Sequence, residues 1–364
     1  MSSVPHFSQS YAEARSKFLA AARSRDLALE THVLPDHVGV DGEALAMDVA
    51  IVAAPGAEGV LVLTSATHGV EGHCGSGAQI ALLRDDDFLR AAREARVAVL
   101  FVHAVNPYGF SHQRRVNEDN ADLNRNFRDF GVPAPGNPAY AEVHALLIPP
   151  AWPPAPEHEA RLAAYIAAHG ARAFQAVVTG GQYAFPDGLF YGGARPAWSN
   201  MTVRDVLRRH AAGHDRVGWI DFHTGLGPRG HGEKIFAGRD NRKDFARARA
   251  WWGPEVTSIY DDSSSSAKLT GLMCNAAYDE CPDAQYTGIA LEYGTVPLPE
   301  VLQALRADHW LHNHADAPTA QRAAIRKQMR EAFYVDTDEW KEQVHAQARA
   351  AALAALAPLA TGSP

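Results

Sequence analysis

The sequence predicts an α/β fold built on a mainly parallel or mixed central sheet. Six short apolar runs end in small or polar residues, a pattern typical of strands that are buried on both faces. Helical patterns lie between several of these runs, and this alternation favours an α/β architecture. The predicted strands are Met47–Ala54, Val60–Ser65, Val97–Ala104, Phe174–Thr179, Val217–Phe222 and Thr287–Leu291.

Apolar residues at helical spacing predict the connecting helices. Between Glu157 and His169, the side chains of Leu162, Tyr165 and Ile166 fall on one face of a helix. The other predicted helices are Gly75–Arg84, Asp86–Arg96 and Ser199–Ala212. We expect these elements to form one catalytic domain over residues 1–315.

Two segments interrupt this alternation. Residues 131–156 are rich in proline, which predicts an ordered excursion that is neither a strand nor the interior of a helix. Residues 180–198 combine glycines, aromatic residues and prolines, which predicts a shaped loop. We interpret both segments as insertions in the domain.

The C-terminal part of the chain, residues 316–364, is alanine-rich and helical in pattern. Asp336 or Thr337 could cap its second helix. We expect this helical extension to pack on the same domain or to pair with another subunit, so a homo-oligomer remains open.

Composition excludes several classes of protein. The 364 residues carry a formal net charge of −8 without a run rich in lysine or arginine, which argues against nucleic acid as a partner. No apolar run approaches the roughly 18–20 residues of a membrane span. The polar N-terminus lacks the apolar core of a signal peptide, so we expect a cytoplasmic protein without a membrane partner.

A histidine and a glutamate follow the second predicted strand. His68 and Glu71 are three residues apart in the sequence HGVEG. A short turn with this spacing can bring an imidazole nitrogen and a carboxylate to one metal ion. Loops at the carboxyl ends of strands are also where α/β sheets place their sites.

Two further strand ends carry groups that suit the same chemistry. His223 lies in DFHTG and could complete a His/Glu/His set that leaves one metal position open for water. Glu292 ends an apolar strand, where a carboxylate is costly unless it faces a cleft or a partner. Beside a metal-activated water, Glu292 would be the general base.

Arginines and asparagines cluster between these motifs. NPYGF follows the third predicted strand, and the pair Arg114 and Arg115 precedes DLNRNF, which contains Asn124 and Arg125. A guanidinium near a metal can hold a carboxylate in a bidentate pair, or it can stabilise an oxyanion on a polarised carbonyl.

In their order along the chain, these motifs resemble those of the M14 zinc carboxypeptidase superfamily. They are HGVEG, NPYGF, the arginine pair before DLNRNF, DFHTG and ALEYGT, and they span residues 60–295. The chain is also similar to the deacylase branch of that superfamily, the succinylglutamate desuccinylase and aspartoacylase group. Within it, the sequence looks like a member of the DUF2817 family.

The resemblance implies a mixed eight-stranded sheet with helices on both faces and one Zn²⁺ per chain. It implies that His68, Glu71 and His223 are the zinc ligands. It also implies that Glu292 is the carboxylate that activates the attacking water.

The resemblance further implies how a substrate is held. Asn124 and Arg125 match the pair that binds the terminal carboxylate of a substrate. Arg115, or alternatively Arg114, matches the arginine that polarises the scissile carbonyl. The substrate-facing tyrosine of the superfamily has three candidates here, which are Tyr183, Tyr191 and Tyr260.

We therefore expect a zinc-dependent hydrolase that cleaves an amide bond in a small substrate bearing a carboxylate. The favoured substrate is an N-acyl amino acid, which would make the protein a deacylase. The alternative is a metallocarboxypeptidase that trims short peptides, since both reactions need a carboxylate grip. A more distant alternative is a non-catalytic binding protein with the same fold.

Overall fold

Seven strands form one mixed sheet in the computed structural model, which describes residues 2–362. Their bounds are β1 Ala28–Val38, β2 Ala44–Val52, β3 Gly59–Thr64, β4 Val97–His103, β5 Arg216–Arg229, β6 Gly232–Phe236 and β7 Gln285–Gly294. The strand order is β1-β2-β4-β3-β5-β7-β6. The four central strands β4, β3, β5 and β7 are parallel, and the outer strands pair antiparallel.

Helices connect the strands and continue beyond the last of them. In chain order they are α1 Tyr11–Arg23, α2 Gly72–Leu83, α3 Asp86–Glu94, α4 Pro107–Ser111, α5 Leu123–Asn126, α6 Tyr140–Leu147, α7 Pro156–His169, α8 Ala171–Thr179, α9 Trp198–His210, α10 Arg242–Trp252, α11 Asn275–Glu280, α12 Leu298–Asn313, α13 Thr319–Phe333 and α14 Asp338–Thr361. None of the helices within residues 2–362 combines the length and apolar character that crossing a membrane requires.

Alternate residues of the central strands face two different hydrophobic cores, as the two-residue period of a strand requires. Leu61 and Leu63 of β3 pack with α1, α2, α3, α10 and α14 on one face. Val60 and Val62 pack with α9 and α11 on the other face. The predicted α/β class with helices on both faces is therefore confirmed.

The strand count and one predicted strand were wrong. The described residues form seven strands, where eight were expected. Residues Phe174–Thr179, predicted as a strand, belong to helix α8. Phe174 and Val178 are its buried residues, four apart, so the apolar pattern has a helical period that is hard to recognise in so short a run.

The two interrupting segments have different outcomes. Residues 180–197 form an irregular loop, as predicted. Residues 131–156 contain helix α6, so the prediction that this segment holds no helix was wrong. Tyr140, Val143 and Leu147 of α6 are buried at helical spacing, and the prolines lie outside the helix.

The C-terminal helix α14 completes the core on one face of the sheet. The Thr337 hydroxyl caps it by accepting from the backbone N–H of Trp340. Trp340 is fully buried, and its indole N–H donates to the carbonyl of Gly294 at 3.0 Å. This contact ties α14 to the end of β7.

We predict that Trp340→Ala lowers the free energy of unfolding by about 3–5 kcal/mol, because it leaves a large cavity between α14 and the sheet. Chemical denaturation measures this change. Met201→Ala is the matched control, since Met201 is 54% exposed on α9. A loss below about 1 kcal/mol for Trp340→Ala would contradict the packing described for α14.

Candidate metal centre

The loop after β3 brings His68 and Glu71 into the site. The backbone N–H groups of Gly69 and Val70 donate to the carbonyls of Arg115 and Arg114, which fixes this loop against a second one. A Cβ on Gly69 would lie 2.1 Å from the carbonyl carbon of Gly109. Only glycine allows this approach, which explains the glycine directly after His68.

Strand register places His223 beside Glu292. The two residues are partners in the parallel pair β5 and β7. In-register partners on neighbouring strands present their side chains on the same face of a sheet. The Oε1 atom of Glu292 accepts a hydrogen bond from the backbone N–H of Leu226 at 2.9 Å, which orients the carboxylate.

The three predicted metal ligands meet in one buried cluster. Glu71 Oε1 lies 2.9 Å from His68 Nδ1, and Glu71 Oε2 lies 2.9 Å from His223 Nδ1. The two Nδ1 atoms are 3.2 Å apart. Among residues 2–362, these three side chains form the one group of His, Cys, Asp or Glu whose ligand atoms converge closely enough to hold a metal ion.

These distances fit a tetrahedral zinc site. With Zn–N bonds of about 2.0–2.1 Å, two ligand nitrogens of a tetrahedron lie about 3.3–3.4 Å apart. The observed separation of 3.2 Å is close to that edge. Two imidazoles and one carboxylate are also a ligand set that catalytic zinc sites use.

Carboxylates behind the ligands select the histidine tautomers that a metal requires. Asp221 Oδ2 lies 2.6 Å from His223 Nε2, and Asp122 Oδ1 lies 3.2 Å from His68 Nε2. A proton on each Nε2 can be donated to these carboxylates, which leaves each Nδ1 free to bind a metal. Asp122 and Asp221 are both buried.

Two threonines hold Asp221 in place. The hydroxyls of Thr64 and Thr67 donate to Asp221 Oδ1 at 2.6 and 2.8 Å. Thr64 and Asp221 are register partners on β3 and β5. The carboxylate that orients His223 is therefore fixed by the pairing of the central strands.

Burial and neighbouring charges act in opposite directions on the pKa values of Glu71, His223 and Asp122. Burial raises the pKa of Glu71, but His68 and His223 outweigh burial and hold this pKa below its usual range. Burial likewise lowers the pKa of His223, but Asp221 and Glu71 raise it well above the ordinary value. Burial also raises the pKa of Asp122, yet its cationic neighbours lower that pKa strongly.

Glu292 differs from the other carboxylates of the site. Burial and the negative charge of Glu71 raise the pKa of Glu292, and His223 offsets only part of that rise. A raised pKa makes a carboxylate a better proton acceptor, which is the property that a general base near neutral pH needs.

Arg115 lies at the metal cluster, while Arg114 does not. The Arg115 guanidinium donates to Glu71 Oε1 at 3.0 Å and to Asp122 Oδ2 at 3.1 Å, and it lines the same cavity as His68. Arg114 is buried in an ion pair with Asp308 at 3.0 Å and is outside that lining. Of the two arginines, the structure therefore brings Arg115 to the cavity and leaves Arg114 in a separate ion pair.

Asn124 and Arg125 both line the cavity. Asn124 Oδ1 accepts from the backbone N–H of Met273 at 3.0 Å, which fixes its side chain. Arg125 is buried, donates to the backbone carbonyls of Asn124 and Thr179, and lies over the ring of Phe190. These contacts fix the guanidinium and still leave some of its five N–H donors free.

The three candidate tyrosines do not line the cavity that contains the metal cluster. The hydroxyl of Tyr183 donates to the carbonyl of Arg125 at 2.6 Å, and that of Tyr260 donates to the carbonyl of Gly238 at 3.0 Å. Tyr191 is buried in the 180–198 loop. Each ring packs within the protein rather than against the metal cluster.

Sequence reasoning gave no role to three residues that shape the site, which are Asp122, Asp221 and Phe333. Asp122 and Asp221 lie inside motifs of the sequence, each two residues from a predicted site residue, and this position was the available signal. Phe190 and Phe333 line the cavity, which has a volume of about 140 Å³. Phe333 ends α13, far from any motif in the sequence, so nothing local pointed to it.

Comparisons with known proteins identify the family. A family model described as "Protein of unknown function (DUF2817)" matches residues 7–347, and no curated protein sequence matches the chain. In each structural comparison that follows, the shares covered are those of this chain and of the solved chain.

Three solved structures are similar at low identity. Thrombin activatable fibrinolysis inhibitor has a TM-score of 0.46 and 14% identity over 78% and 68% of the chains. A metallo-carboxypeptidase from Burkholderia cenocepacia has a TM-score of 0.44 and 14% identity over 93% and 67% of the chains. An aspartoacylase family protein from Mesorhizobium loti has a TM-score of 0.37 and 16% identity over 78% and 66% of the chains. Because these TM-scores lie below 0.5, the assignment depends on the family model, by which the chain belongs to the DUF2817 family.

Proposed function

We propose that this protein is a zinc-dependent hydrolase that cleaves the amide bond of a small N-acyl amino acid. One observation carries the proposal. Two imidazole Nδ1 atoms and a carboxylate converge within 3.2 Å of one another, with Glu292 and Arg115 lining the same cavity. A metal site, a base and a cationic donor in one cavity are the parts that amide hydrolysis requires.

His68, Glu71 and His223 would hold the zinc ion. A bound Zn²⁺ supplies Lewis acidity and lowers the pKa of a water ligand from 15.7 to about 7. Asp122 and Asp221 hold the two imidazoles in the ligating tautomers.

Glu292 would move the proton during hydrolysis. Its carboxylate accepts a proton as water attacks the scissile carbonyl, and then donates that proton to the leaving nitrogen. Its raised pKa and its register beside His223 both suit this role.

Arg115 would stabilise the negative charge that develops on the carbonyl oxygen. Arg115 Nη2 lies 2.8 Å from His68 Nε2. In the ligating tautomer this nitrogen carries a proton and cannot accept, so zinc binding would require Nη2 to turn away from it, and Nη2 could then donate to a substrate oxygen. Arg125 and Asn124 would bind the substrate carboxylate and fix its position.

The shape of the cavity favours a small substrate. Val301, Leu302 and Leu305 of α12, together with Phe333 of α13, line it along with the metal cluster. We infer that these helices would limit the length of a substrate that enters, which favours an N-acyl amino acid over a peptide.

The direct test is a hydrolysis assay by mass spectrometry, with and without a zinc chelator, on N-acyl amino acids and on dipeptides and tripeptides. Chelator-sensitive release from N-acyl amino acids is expected. Release from peptides alone would make the protein a carboxypeptidase instead. No release from a zinc-loaded protein would contradict the hydrolase proposal.

We predict that His223→Ala weakens zinc binding by at least about 100-fold, because it removes a direct ligand of the site. Isothermal titration with Zn²⁺ measures the affinity. His37→Ala is the control, since His37 is exposed and distant from the cluster in the sheet. Equal zinc affinity in the two variants would exclude His223 as a ligand.

We predict that Glu292→Gln keeps zinc binding but lowers turnover by about 10²–10⁴-fold, the contribution typical of a general base. Glu300→Gln, an exposed residue in the first turn of α12, is the matched control. Wild-type turnover by Glu292→Gln with zinc bound would show that another group takes the proton.

A further inference from the structure

Each charged side chain of the cavity lining either belongs to the metal centre or is available to bind one substrate carboxylate. Among the described residues, the charged or ionisable acid and base side chains of its lining are His68, Arg115, Arg125, Asp221, His223 and Glu292. The histidines and the two acids belong to the metal centre. Since a bound zinc ion would face the scissile carbonyl, only the two arginines are left to meet a further charge on a substrate.

Arg115 is already neutralised by the protein. Its guanidinium lies 3.0 Å from Glu71 and 3.1 Å from Asp122, so two carboxylates balance its charge. Arg125 instead donates to backbone carbonyls, and its nearest carboxylate, Asp122, is 3.9 Å away. One cation therefore remains for one substrate carboxylate.

The rest of the lining is uncharged and mostly apolar, with amide and hydroxyl side chains as its polar members, and its apolar side chains come from two separate cores. Ala237, Leu272 and Cys274 belong to the core between the sheet and α9, or pack against it. Phe190, Val301 and Phe333 belong to a different core, formed around α12 and α13. A second charged group on the substrate would have to be buried against one of these walls without a partner, which is strongly unfavourable.

We propose that the substrate is an N-acyl amino acid whose acyl group and side chain are both uncharged and apolar, so that its one carboxylate is its only charge. This inference deepens the proposed hydrolase function and rests on it. It excludes dicarboxylic substrates such as N-acyl aspartates and N-succinyl amino acids, for which the lining within residues 2–362 offers no second free side-chain cation.

Binding of uncleavable analogues to the zinc-loaded wild-type protein tests the inference separately from catalysis. In these ketomethylene analogues a CH₂ group replaces the scissile NH. The three ligands are the analogues of N-isocaproyl-leucine, N-succinyl-leucine and N-isocaproyl-aspartate, which are nearly isosteric and differ by one carboxylate. Isothermal titration gives the dissociation constants.

We expect the N-isocaproyl-leucine analogue to bind at least about 30-fold more tightly than either dicarboxylate, because an unpartnered charge is costly in an apolar site. Equal or tighter binding of a dicarboxylate, or no binding of any analogue, would overturn the inference. Turnover of the corresponding amides is measured in parallel. Tight apolar binding without turnover would reject the proposed hydrolase and leave the selectivity in place.

A charge introduced into the wall provides a second test. Leu302 is half-buried on α12 and lines the cavity, so Leu302→Arg adds a cation there. This substitution should weaken binding of the N-isocaproyl-leucine analogue. It should tighten binding of one dicarboxylate by at least about 10-fold, because the new arginine forms a charge-assisted pair with the second carboxylate. Met201→Arg, at an exposed position of α9 and outside the lining, should change neither affinity.

Thermal unfolding of both variants controls for the fold, and Leu269→Arg, at another residue of the lining, replaces Leu302→Arg if the latter does not fold. A gain in affinity for either dicarboxylate would support the inference that the wall of the cavity lacks a second cation. If a folded variant shows no gain in affinity for either dicarboxylate, the inference is contradicted.

Discussion

The parallel register of β3, β5 and β7 is the constraint on which the site depends. It pairs Thr64 with Asp221, and His223 with Glu292. A shift of one residue would turn each of these side chains to the opposite face of the sheet. Because both faces are buried by helices, such a shift would also place polar groups in the hydrophobic cores. The packing that stabilises the sheet therefore also fixes the geometry of the metal cluster.

Loops and helices outside the sheet position the remaining residues of the site. The loop carrying Arg115 holds the His68 turn through backbone hydrogen bonds, and Asp122 reaches both His68 and Arg115. The C-terminal helices close the other side of the cavity through Phe333, while Trp340 anchors α14 to the end of β7. Residues that are far apart in sequence thus meet around one small cavity.

Much of this arrangement could be predicted from the sequence, and the failures have physical causes. Strands buried on both faces, such as β3 and β4, read as apolar runs, whereas the edge strand β1 is largely exposed and gave no such signal. The metal ligands stood out because polar residues ended apolar strands. The choice between Arg114 and Arg115 could not be made, because adjacent residues point in different directions and only the folded chain shows which one faces the cavity. The orientation of the tyrosines was hard to predict for a related reason, since an aromatic ring in a loop can pack inward as readily as it can face a ligand.

The most direct test of the central claim is X-ray absorption at the zinc K-edge on the protein loaded with one equivalent of zinc. We expect a first shell with two imidazole nitrogens at about 2.0–2.1 Å and carboxylate oxygen at about 2.0–2.2 Å, and we expect both imidazole signals to be reduced to one in His68→Ala. A sulfur ligand at about 2.3 Å, or a wild-type shell with fewer than two imidazoles, would contradict the His68, Glu71 and His223 site.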